Sequence, residues 1–161
     1  MKQKEMSVYL KVITIIVAVL FLFFIFWFLP ASIMDSMVPL GLTVNNAYIA
    51  IGYIWLIAIP CLLALLRFFQ ICTRIGRDNS FCMHNAKALK EMSIYMLTVV
   101  IMGSIGFVVF IISGLYYNFK FTGAAILIVI IIAVTLSVVC AALSHLVQKA
   151  SVLQEEHDLT V

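Results

Sequence analysis

Polar residues gather in clusters along this chain, and the intervals between the clusters are almost wholly apolar. Four apolar runs stand out, at residues 12–29, 48–66, 93–113 and 122–147, and none holds an Asp, Glu, Lys or Arg. A helix needs about 20 apolar residues to cross a hydrocarbon core of roughly 30 Å. The pattern therefore predicts an all-α integral membrane protein, a four-helix bundle of four spans. The fourth run exceeds what a crossing needs, so it is expected to tilt or to continue as helix beyond the membrane. Spans three and four are joined by only 115–121, which makes them an antiparallel hairpin. The longest polar interval, residues 67–92, reads RFFQICTRIGRDNSFCMHNAKALKEM. It predicts a helical extension between spans two and three.

Composition agrees with this pattern. The chain has 161 residues, is 65% hydrophobic and only 11% charged, with a mean hydropathy of +1.20. A soluble domain of this size could not cover so much apolar surface. A single membrane domain over 1–161 is expected, with the lipid bilayer as its solvent.

Charge sets the expected orientation. Lys2, Lys4 and Lys11 precede the first run. Arg67, Arg74, Arg77, Lys87 and Lys90 lie between the second and third, Lys149 follows the fourth, and the opposite side has only Lys120. Basic residues stay on the cytoplasmic side, so both termini and 67–92 are expected there, in the inner (cytoplasmic) membrane. The net charge of +3 comes from these flanks, and direct nucleic-acid binding is not expected. The first run is longer than the roughly 7–15 residues of a signal-peptide core, and Pro30-Ala31-Ser32 is a poor cleavage site. It is read as an anchor that stays.

Several local features follow. Pro30 is expected to end the first helix. Residues 31–47 carry one charge, Asp35, among Met34, Met37, Val38, Leu40, Leu42 and Val44. They are expected to lie on the outer surface or over the bundle mouth, or to form an apolar site for an external peptide or lipid. Pro60 should kink the second span by freeing the Leu56 carbonyl. Gly76 is a candidate C-cap, 77–80 is turn chemistry, and a new helix is expected from Phe81. In that helix Lys87 and Glu91 are spaced to pair. Small residues let helices approach closely in lipid. Gly103 and Gly106 in span three, and Ala133, Ser137 and Ala141 at intervals of four in span four, are expected as packing seams. Either seam could serve a homo-oligomer.

No catalytic constellation is present. Ser104 and Ser137 have no partner base within the spans, and serine in such helices commonly bonds its own backbone. Cys72, Cys82, His84, His145 and His157 lack the paired spacing of a metal site. No metal and no cofactor are expected. Proton-coupled transporters place a carboxylate in mid-membrane, and none is here. The reading is a non-enzymatic interaction or regulatory protein. The alternative is a small transporter, or its accessory or immunity subunit, handling an apolar or peptide substrate.

Ile75-Gly76, then Phe81-Cys82-Met83-His84-Asn85-Ala86-Lys87-Ala88-Leu89-Lys90, and the close Glu155-Glu156-His157-Asp158-Leu159-Thr160-Val161, resemble the YoaS-like family of bacterial four-span membrane proteins, a domain of unknown function. Cys82 stands where that family tends to have a capping Ser, which implies a weaker helix start, and His84 stands near its Glu. Genes for such proteins often neighbour one for a very small helix-turn-helix regulator. The resemblance thus implies a membrane-embedded partner of such a regulator. The docking face would comprise Arg74, Arg77, Phe81, His84, Asn85, Lys87 and Lys90 with the acidic Glu155, Glu156 and Asp158.

Overall fold

The computed structural model describes residues 3–37, 44–75, 82–114 and 120–159. Helix α1 is Gln3–Phe23, a π-helical turn follows at Phe24–Phe28, and α2 is Leu29–Met37. Helix α3 is Val44–Ile75, α4 is Met83–Ile112, and α5 is Lys120–Leu159. Four stretches are long and apolar enough to cross a membrane: Ser7–Asp35, Asn45–Ile75, Met83–Ile112 and Thr122–Leu153. This marks a multi-pass membrane protein. The helices are longer than the apolar runs within them. At 1.5 Å per residue, the 40 residues of α5 measure about 60 Å, twice a typical hydrocarbon core.

Packing is sequential. Helix α1 packs on α3, α3 on α4, and α4 on α5, with the α4–α5 hairpin the most extensive contact. The described core consists mainly of small residues, among them Ala47, Ala58, Ala64, Ala86, Ala88 and Ala133. Most large aliphatic and aromatic side chains point outward, as expected where lipid replaces water. Close approach of small residues then supplies the association that hydrophobicity cannot.

The seams differ in detail from the sequence expectation. Among the described residues of α5 those buried are Gly123, Ala133, Ser137, Cys140, Ser144 and Ser151, and Ala141 is exposed. A strict step of four advances about 40° beyond a full turn each time. By Ala141 the row has rotated some 80° off the contact line, whereas alternating steps of four and three hold it. Ser137 does not bond its own helix. Its hydroxyl donates to the Ser93 carbonyl at 3.0 Å, with the two hydroxyl oxygens 3.3 Å apart. Ser144 donates to the Ala86 carbonyl at 2.7 Å. Gly103 and Gly106 serve two different seams. A methyl group on Gly103 would sit 3.2 Å from Ile130 Cγ1 of α5, and one on Gly106 only 2.6 Å from Tyr53 Cε1 of α3. The Tyr53 hydroxyl donates to the Met102 carbonyl. Gly114 adopts a left-handed φ of +74° just past α4, and its N–H reaches the Ile111 carbonyl at 3.1 Å. It is a C-terminal cap rather than a packing residue.

Pro30 does not end the first helix. The Phe24–Phe28 turn winds in the wider π register, with the Leu29 N–H on the Phe24 carbonyl. Helix then resumes as α2 through Met37, with Pro30 in its first turn, where a missing N–H is tolerated. In the π register the donor to the Ile25 carbonyl would be Pro30, which has none. The Trp55 indole N–H of α3 takes that place at 3.4 Å. Residues 31–47 are thus partly helix, and 38–43 lie outside the described residues. Pro60 is buried within α3, which runs through it without a break.

Candidate functional site

Three cross-helix contacts gather one end of the molecule. Ser7 of α1 donates to the Cys72 carbonyl near the end of α3 at 2.6 Å. Ser144 and Ser137 tie α5 to the first turns of α4. The described basic residues Lys11, Arg67, Arg74, Lys87, Lys90 and Lys149 thereby share an end. Between α3 and α4 this end holds a cleft of about 190 Å³, lined by Arg67, Gln70, Arg74, His84, Lys87, Ala88 and Glu91.

The cleft is built by helical spacing. Arg67, Gln70 and Arg74 are separated by three and four residues, so they share a face of α3. His84, Lys87, Ala88 and Glu91 do the same on α4. Arg67 is fixed from two directions. Its Nε lies 2.7 Å from Glu91 Oε2, and its Nη1 donates to Gln70 Oε1 at 3.0 Å. The carboxylate of Glu91 thus reaches across to the facing helix rather than to Lys87 one turn away, and it is half-buried in doing so. The lining holds three basic side chains, one imidazole and one carboxylate. The carboxylate is already engaged, so the unengaged charge is positive. A cleft of this charge suits an anion in electrostatic terms.

Of the residues named for the docking face, Arg74, His84 and Lys87 line this cleft together. Lys90 is exposed on α4 outside the cleft. Asn85 is 2% exposed and belongs to the α4 core. Arg77 and Phe81 lie outside the described residues. Glu155, Glu156 and Asp158 continue helix α5 beyond Ser151, and their side chains are not described. Cys82 is the N-cap of α4 in extended backbone, and its side chain makes no capping bond, as expected of cysteine in place of serine. Among the described residues no group of three or more His, Cys, Asp and Glu comes together. Arg67, Gln70 and Glu91 were not anticipated in the site. Their signal was present: polar residues at steps of three and four on both sides of the same interval.

Residues 3–161 match a family model described as a protein of unknown function (DUF2975). No curated protein and no solved structure matches.

Proposed function

We propose a function for a chain that belongs to the DUF2975 family: it is the membrane-embedded partner of a small helix-turn-helix regulator, and not an enzyme. In this reading it sits in a bacterial cytoplasmic membrane with both termini and the basic end on the cytoplasmic side, as the distribution of Lys and Arg argues. The observation that carries the reading is the cleft between α3 and α4, where Arg67, Arg74 and Lys87 face one carboxylate. The finer resemblance of residues 75–90 and 155–161 to YoaS-like proteins adds the kind of partner.

Docking of this type is electrostatic. Exposed cations such as Lys87 and Lys90 would attract an acidic surface of the regulator. That attraction weakens with salt over a Debye length of about 8 Å at physiological ionic strength. The acidic Glu155, Glu156 and Asp158 would meet basic side chains of the same partner. Holding or releasing the regulator would then follow the state of the membrane.

The test is co-purification of the full chain in mild detergent at physiological salt, with mass spectrometry of the eluate. The wild type is expected to bring down a small helix-turn-helix protein, and an Arg74→Gln/Lys87→Gln/Lys90→Gln variant to lose most of it. Equal capture by the variant contradicts the reading. Transporter subunits in the eluate would instead favour the alternative of a small transporter or its accessory subunit.

A further inference from the structure

The two stripes that line the cleft continue into apolar residues. On α3 the order along one face is Leu63, Arg67, Gln70, Arg74, and on α4 it is Ile94, Glu91, Lys87, His84. Leu63 is 39% exposed and Ile94 53%, so neither is covered by a neighbouring helix. The apolar run of α3 stops at Leu66 and that of α4 begins at Ser93, so the polar lining starts at the edge of the hydrocarbon. From Arg67 to Arg74 the helix climbs about 10 Å. The polar headgroup layer is roughly 5–8 Å deep on each side. The cleft therefore spans the depth at which lipid phosphates lie.

We propose that the groove between α3 and α4 holds one anionic phospholipid of the leaflet on its basic side. Its phosphate sits among Arg67, Arg74 and Lys87, and an acyl chain runs along Leu63 and Ile94. Guanidinium groups match phosphate oxygens in geometry as well as charge. Because Gln70 uses its carbonyl oxygen on Arg67, its amide N–H groups are left to donate. Glu91 holds Arg67 at the deeper end of the cleft, which directs the phosphate toward Arg74 and Lys87. The volume of about 190 Å³ is far above the roughly 10–15 Å³ that one water requires. Basic pockets between membrane helices are suited to such headgroups. Free phosphate offers the same charge, but it has no use for the apolar continuation below the cleft. The lipid shares Arg74 and Lys87 with the docking face, yet its binding requires no regulator.

The full chain, purified in mild detergent and stripped of lipid, is titrated with phosphatidylglycerol or with phosphatidylcholine, and bound lipid is counted by native mass spectrometry. One phosphatidylglycerol is expected to be retained in preference to phosphatidylcholine. Arg74→Gln and Lys87→Gln should each weaken it about fivefold, from the worth of one basic residue near an anionic surface. Glu91→Gln should strengthen retention, and Lys149→Gln, exposed on α5 outside the cleft, should leave it unchanged. Lys87 is exposed, so Lys87→Gln alone keeps the test readable if another variant misfolds. Equal retention of the two lipids overturns the proposal. So does unchanged phosphatidylglycerol binding in the Lys87→Gln variant. Displacement of the lipid by inorganic phosphate would assign the cleft to a free anion instead. No regulator is present in this assay, so its failure leaves the docking reading standing, and failed capture of a regulator leaves the lipid site standing.

Discussion

Gly103 and Gly106 show how much a single hydrogen can decide. A methyl on Gly103 meets Ile130 Cγ1 at 3.2 Å, so Ile130 need give by only a few tenths of an ångström. A methyl on Gly106 meets the Tyr53 ring at 2.6 Å, and that ring is held by its hydroxyl on the Met102 carbonyl. Gly106→Ala should therefore lower the thermal midpoint in detergent by more than Gly103→Ala. The cost expected is in the range of about 1–3 kcal/mol for overpacking. Measured in a Tyr53→Ala background, Gly106→Ala should cost no more than Gly103→Ala. Ala133 and Ala141 form a second pair. Ala133→Leu should destabilise the α4–α5 hairpin, while Ala141→Leu should not, as followed by the same melts. The sequence made the small residues of both seams visible. It did not reveal which neighbour each would meet, and a repeat of four placed Ala141 on a face that helical rotation carries away.

At the scale of the element, the first span teaches most. Proline was legible as a stop because it cannot donate. Its effect here is instead to orphan the Ile25 carbonyl, and the answering donor is Trp55, thirty residues away. No local pattern could disclose that pairing. Phe26 packs against the same indole, with ring centroids 5.6 Å apart, so Trp55 fastens the π-helical turn to α3. Trp55→Phe should cost about 1 kcal/mol through the lost hydrogen bond while keeping most of the packing. Pro30→Ala restores a donor to the register. It should shift the emission of Trp55, read in a Trp27→Phe background, and an unchanged spectrum would contradict this account of the turn. By contrast, the start of α4 was legible to within two residues: it begins at Met83, not at the expected Phe81. Cysteine at the N-cap leaves the first turn without a side-chain acceptor, and Cys82→Ser should stabilise the helix by up to about 1 kcal/mol.

For the whole molecule, the number of spans and their order could be read from hydropathy, because lipid demands about twenty apolar residues at a time. The placement of the basic residues at one end could be read as well. The cleft could not be read in full. Arg67 and Glu91 lie twenty-four residues apart, and only the packing of α3 on α4 brings them to 2.7 Å. Their bond is partly exposed and should contribute less than about 1 kcal/mol, so Glu91→Gln is expected to fold normally. Orientation can be checked through Cys82, which is half-exposed at that end. In a chain whose other cysteines are replaced by alanine, a membrane-impermeant maleimide should label Cys82 only once the cytoplasmic face is opened. Labelling in intact cells would invert the topology.

In the proposed function the basic end of the bundle holds a regulatory protein. A photo-crosslinking residue placed at position 87, in the cleft, and separately at position 28, at the opposite end of the first span, tests it in intact cells. An adduct with a small helix-turn-helix protein is expected from position 87 and none from position 28. No protein adduct at 87, or the same adduct from both positions, would contradict it.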